Sequence, residues 1–138
     1  MSTNMDKLTY HLSDKTEVTA AFPVQAYTKI ITRHELNFLK EFMASHPSIL
    51  KYINTPNVME HSLTPFNVAL QLYLIEKRTN VRDILYAIMD LLLSNNAKPN
   101  ITTITGQSIY DFLDDQRLLQ LLKKHKLQDK SKILKPTI

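Results

Sequence analysis

The sequence predicts an all-α chain, a short stack of about two to three helix pairs with extended central helices. Three observations predict it. Apolar residues recur at helical spacing in several segments, with Leu36, Leu39, Phe42 and Met43 as one clear stripe. Turn residues such as Pro47, Pro56, Asn57 and Asn95-Asn96 separate those segments. The run Val81 to Ser94 is apolar nearly all round, the condition of a helix covered on more than one side.

The elements follow in order. Residues 1–22 are polar without a sustained period and read as a flexible or loosely packed lead-in. Pro23 suits the first turn of a helix running to about Thr32, because its missing N–H would be unpaired there anyway. A second helix spans His34 to Ser45 and stops before Pro47, with a further turn or two from Ser48 to Ile53. Thr64 is an N-cap with Pro65 at the first helical position, opening a helix to about Lys77. Asn80 is a second N-cap candidate for the helix Val81 to Ser94, and Asn95-Asn96 suits its end because Asn tolerates left-handed backbone. After Gly106, Ser108 is expected to cap a helix through about Leu113, and Asp114 or Asp115 a last helix through about His125. The domain is therefore expected over 23–127, followed by a basic flexible tail over 128–138.

Composition excludes several kinds of chemistry. In 138 residues there is one glycine, Gly106, and no cysteine. One glycine cannot build a Gly-rich phosphate loop or a dinucleotide fingerprint. Without cysteine there is no disulfide frame, thiolate zinc site or cysteine nucleophile, which fits a cytoplasmic location. The most apolar run, Ile84 to Leu93, is short and contains Asp90, so no transmembrane segment is expected. Charge is uneven: residues 123–138 carry six lysines against Asp129, whereas the rest of the chain is close to neutral.

Two segments align internally. Ser62-Leu63-Thr64-Pro65-Phe66-Asn67-Val68-Ala69 corresponds to Gly106-Gln107-Ser108-Ile109-Tyr110-Asp111-Phe112-Leu113, and each precedes a segment with paired leucines, Leu91-Leu92-Leu93 and Leu118-Leu119-Gln120-Leu121-Leu122. At these residues the chain resembles the ankyrin repeat, with Thr64 to Ala69 standing where the family has T-P-L-H-x-A. Leu91 to Asn100 resembles the family's L-L-L-x-x-G-A-x-P-N. Ser62 and Asn96 replace usual glycines, Asn67 and Asp111 the usual His, and Ile109 the Pro. The offset from Thr64 to Ser108 is 44 residues, against a family period of about 33. The excess falls between Ala69 and Leu91, and implies longer central helices and a compact, divergent stack.

The resemblance implies a protein-interaction module, an adaptor or a stoichiometric inhibitor, and not an enzyme. Its partner would be another protein, a host protein or a bacterial effector enzyme. Partner-binding residues are expected at the inter-repeat turns and on the short inner helices: Asn57, Glu60, His61, Asn67, Gln71, Lys98, Asn100, Thr102, Thr103, Thr105 and Asp111. The Lys-, Asn- and Ile-rich composition suggests an AT-rich genome. Small divergent members of the family occur as secreted effectors of intracellular bacterial pathogens and in large DNA viruses. The former is the expectation here, as an effector or effector regulator acting in the cytoplasm or, after secretion, in the host cytosol.

Other chemistry is weaker on the residues. The five histidines have no metal-ligand spacing, so no metal or cofactor is expected. Asp111, Asp114 and Asp115 form the densest acidic cluster, better explained by helix capping than by acid–base catalysis. Tyr73, Tyr86, Tyr110, Phe66 and Phe112 lie in helical stripes, more usual for core than for base stacking. The alternative function is a nucleic-acid or anionic-membrane surface binder acting through the basic tail. Nucleic acid is the less expected ligand, because the body holds only Arg33, Arg78, Arg82 and Arg117. A stack this short exposes its ends unless 23–45 and 116–127 cap them, which leaves monomer and dimer both open.

Overall fold

In the computed structural model of the chain, the described residues are 8–11, 17–20, 23–58 and 61–127. The tail expected over 128–138 lies outside them. The fold is mostly helical, as expected, with one departure at the start. Strands β1 (Leu8–His11) and β2 (Glu17–Ala20) pair antiparallel, Leu8 opposite Ala20 and His11 opposite Glu17. Thr9, Tyr10, Val18 and Thr19 are strand-favouring types, but four-residue strands are too short for a period to register. The lead-in is therefore partly a hairpin, and β2 runs beside the first helix.

Helix α1 (Pro23–Thr32) starts on its proline as expected and buries Ala26, Tyr27, Ile30 and Ile31 along one face. His34, at φ 60°, turns the chain into α2 (Leu36–Ser45), which buries Leu39, Phe42 and Met43. Tyr27 meets Phe42 edge-on at 5.8 Å and donates its hydroxyl to Ile49 O at 3.1 Å. Ile49 belongs to a 3-10 helix, Pro47–Tyr52, so one aromatic ring ties α1, α2 and that turn together.

Helix α3 (Pro65–Ile75) is capped by Thr64, whose Oγ1 accepts from Asn67 N at 3.2 Å. It ends two residues earlier than expected because Glu76 turns to extended backbone (ψ 132°). The Glu76 carboxylate then accepts from Arg78 N at 3.0 Å and from the Arg78 guanidinium at 2.7 and 3.0 Å. Those hydrogen bonds hold the Glu76 carboxyl down at about 2. Helix α4 (Thr79–Ser94) follows directly, so Asn80 lies inside the helix and is not its cap. At its end Asn96 is left-handed (φ 74°), and Leu92 O accepts from both Asn95 N and Ala97 N at 3.0 Å.

The second aligned segment is shorter than expected. Ser108 and Asp111 form a capping box, but they frame a single 3-10 turn, Ile109–Asp111, in place of a helix to Leu113. The chain leaves the turn at Phe112 (φ −128°), and Asp115 then caps α5 (Gln116–Lys124) by accepting from Arg117 N and Leu118 N at 2.9 and 3.3 Å. An N-cap must hold extended backbone, so the chain leaves any helical conformation before residue 115.

Helices α4 and α5 lie side by side and run in the same direction. Asp83 pairs with Arg117 at 2.7 Å, and seven residues further along each helix Asp90 pairs with Lys124 at 2.7 Å. Both pairs are 34 residues apart in sequence, whereas the two caps Thr64 and Ser108 are 44 apart. The difference of ten residues is accounted for by the first unit, which has a full helix α3 where the second has only the 3-10 turn.

Leu85, Ile88, Met89 and Leu92 of α4 are fully buried, with α3 and α2 packed on the helix. Replacing Leu85 or Ile88 by Ala should destabilise the chain by about 2–5 kcal/mol. Ile75, 74% exposed, should tolerate Ala within about 0.5 kcal/mol. Chemical denaturation of the three variants checks the contrast.

Candidate functional site

Two turns with corresponding pairs of backbone hydrogen bonds, one spanning 57–63 and the other 103–107, stand at the heads of the two aligned segments. In the first, Asn57 N donates to Leu63 O and Ser62 N to Asn57 O, both at 2.9 Å. In the second, Thr103 N donates to Gln107 O at 2.8 Å and Gly106 N to Thr103 O at 2.9 Å. The aligned residues Ser62 and Gly106 are both left-handed, at φ 55° and 82°, and each turn leads directly into an N-cap, Thr64 or Ser108. In each turn the residue after the opening position is a solvent-facing aliphatic: Val58 is 78% exposed and Ile104 76%.

Asparagine side chains hold the loop that leads from α4 to the second turn. Asn54 Nδ2 donates to Asn96 O at 3.1 Å, and Lys98 N donates to Asn54 Oδ1 at 2.7 Å. Asn67 Nδ2 donates to Ile101 O at 3.4 Å. The loop between α4 and the second turn is thus held against the first turn and the start of α3. Asn67 Oδ1 is buried and has no hydrogen-bond partner among the described residues.

The expected partner-binding residues divide by exposure. Asn57 is 3% exposed and Asn67 1%, and Asn57 Nδ2 donates to Thr28 Oγ1 at 3.0 Å. Both are interior residues that position backbone, a correction to the expectation that they face a partner; short polar side chains at turns serve neighbouring amides as readily as a ligand. Gln71 is half-buried on α3. His61 is exposed in the first turn with φ 59°, and Glu60 lies outside the described residues. Lys98, Thr102 and Thr105 are exposed, and Asn100 is half-buried. The Thr103 hydroxyl is held by the Thr105 hydroxyl at 2.9 Å and by Gln107 N at 3.2 Å. Asp111 is exposed, yet its carboxylate accepts from Ser108 N at 2.8 Å as part of the capping box.

Asp115, the remaining acid of the dense cluster, is a structural junction. Besides capping α5 it accepts from Tyr73 Oη at 3.2 Å and from Arg82 Nη2 at 3.4 Å. The Arg82 guanidinium lies 4.1 Å from the centre of the buried Tyr73 ring. Burial pushes the Tyr73 phenol up, with the Asp115 charge adding to it. Among the described residues no group of three or more His, Asp or Glu converges as a metal site, and no helix is long and apolar enough to cross a membrane.

A groove of about 580 Å³ lies beside the second turn's approach, between the loop after α4 and the end of α5. Leu93, Ala97, Pro99 and Leu127 are its apolar lining, with Lys98, His125 and Tyr110 also on its walls. Tyr110 donates its hydroxyl to Leu127 O, which fixes the chain just past α5. Asp90 accepts from Lys124 Nζ and contacts His125 Nε2 at 2.6 Å.

Val58, Ile104, Asn54, Tyr110 and His125 were not foreseen as site residues. Val58 and Ile104 had a readable signal, since an aliphatic inside a turn has no core to enter. Tyr110 and His125 had none, because the groove exists only once α5 docks.

Comparison with protein-family models, with curated proteins and with solved structures finds no match.

Burial pushes the Asp90 carboxyl up, but the hydrogen bonds and charges of Lys124 and His125 outweigh it and leave it lowered. A depressed carboxylate contributes stability that is present above its unfolded value and lost as pH falls through its folded value. Asp90→Asn should therefore lower the melting temperature at neutral pH, and the gap from wild type should close in acid below the ordinary carboxylate range. Parallel thermal melts across pH measure it.

Proposed function

We propose that the chain is a protein-interaction module, a compact ankyrin-like stack that serves as an adaptor or a stoichiometric inhibitor of a partner protein. The observation that carries this is the pair of turns with corresponding hydrogen bonds in which Val58 and Ile104, each just after the opening residue, are exposed. Single exposed aliphatics are ordinary on any surface. Here each follows the opening residue of a turn closed by corresponding backbone hydrogen bonds, and Asn54 and Asn67 hold the loop that leads into the second turn.

Rigid presentation matters to affinity. A tip already held by backbone hydrogen bonds gives up little conformational freedom on binding, so more of its burial appears as affinity. The 34-residue spacing between the paired positions of α4 and α5 supports the ankyrin-like reading, because it is close to the family period of about 33. Binding in place of catalysis is supported by the carboxylates, since Asp90, Asp111 and Asp115 each serve helix ends or helix pairs.

The test is a variant with both Val58→Asp and Ile104→Asp, compared with wild type for a partner recovered by affinity capture and then purified. Both side chains are exposed, so folding should be unaltered by circular dichroism. Burying two aliphatics contributes about 1.5–3 kcal/mol each, so the double variant should weaken binding at least about 100-fold by calorimetry. The proposal fails if no saturable protein partner is recovered, or if the partner binds the variant as it binds wild type.

A further inference from the structure

We propose that the groove between the loop after α4 and the end of α5 receives a short acidic segment of the partner, seating one aliphatic or aromatic side chain between flanking carboxylates. This rests on the protein-binding reading above and names the chemistry of one contact.

The groove's volume of about 580 Å³ lies within the roughly 300–1,000 Å³ typical of pockets for small ligands. Leu93, Ala97, Pro99 and Leu127 offer an apolar seat. Charge around the seat is positive. Lys98 lines the groove, and the exposed Lys126 stands between the lining residues His125 and Leu127. The acid beside it, Asp90, has both oxygens engaged, Oδ2 by Lys124 and Oδ1 by His125. It therefore adds little repulsion towards an incoming carboxylate.

Two helices end at this groove, and helix C-termini ordinarily repel anions through their unpaired carbonyls. Here three of the last four carbonyls of each helix accept a hydrogen bond. Leu91 O accepts from Asn95 Nδ2, Leu92 O from Ala97 N and Leu93 O from Asn96 N at the end of α4. At the end of α5, Leu121 O, Leu122 O and Lys123 O accept from His125 N, Leu127 N and Lys126 N. With those carbonyls satisfied, the lysine charges set the sign of the field. A nucleic-acid strand fits less well: of the rings among the described lining residues, Tyr110 is tied through its hydroxyl to Leu127 O and His125 is held by Asp90, and none of those residues is an arginine.

The probe is a fluorescein-labelled hexapeptide of alternating aspartate and leucine, titrated against the full chain by fluorescence anisotropy. Saturable binding is expected, weakening with salt. Lys98→Glu should raise Kd at least about tenfold. That side chain is exposed and the fold uses only its backbone N–H, so an unchanged melting temperature separates lost binding from lost folding. An asparagine–leucine peptide should bind at least about tenfold more weakly.

Absence of saturable binding, or binding indifferent to Lys98→Glu, overturns the proposal. So does equal affinity, with equal sensitivity to Lys98→Glu, for single-stranded oligothymidylate or phosphatidylserine vesicles. The two proposals fail separately. A partner lost on Val58→Asp with Ile104→Asp, in a chain that never binds the peptide, removes the groove assignment alone. Lack of any saturable protein partner removes the module reading even where the peptide binds.

Discussion

Helix α4 carries more apolar surface than any single neighbour can cover, and the arrangement of the other helices follows from covering it. Leu85, Ile88, Met89 and Leu92 have no exposure, and Val81 and Leu93 very little. Helices α3 and α2 pack on it. The short helix α5 brings Leu118, Leu121 and Leu122 into the same core. Burying each of those leucines contributes about 1.5–3 kcal/mol. The ion pairs Asp83–Arg117 and Asp90–Lys124 are partly exposed and contribute about 0–1 kcal/mol each. Apolar burial therefore decides that α5 docks. The charges decide how, because two pairs seven residues apart on both helices are satisfied together in one direction and one register.

Asp115 links that docking to α3 as well. One carboxylate caps α5, takes the hydroxyl of buried Tyr73 from α3 and meets Arg82 of α4. Three helices therefore share one polar junction. Such a junction restricts alternatives more than it adds stability, since a shifted α5 would leave the Tyr73 hydroxyl buried without its acceptor.

The surface features follow from this frame. The two turns stand together because Asn54 and Asn67 hold the loop after α4 through its backbone at Asn96, Lys98 and Ile101. The groove exists because α5 ends near the start of that loop and Tyr110 ties the chain there. Neither belongs to one element. Each is a consequence of packing.

Much of the helical layout was legible in the residues. Periodicity located α2 and α4, and Pro23, Thr64-Pro65, Asn96 and Asp115 acted as the local start and stop signals their chemistry dictates. Those signals are legible because capping and amphipathic spacing act within four or five residues of chain. The hairpin of β1 and β2 escaped notice because its strands are only four residues long. Only one 3-10 turn forms after Ser108, and Asp115 beyond it serves partners 42 and 33 residues away as well as its own helix. The same limit governs the candidate site: Asn57 and Asn67 look like surface turn residues in the sequence and are interior in the fold. What the sequence determined by itself was the class, the helices and most of their ends, because local physics sets these. Which polar residues face water, and where a groove opens, depends on contacts made across 30 or more residues, and only the tertiary structure decided that.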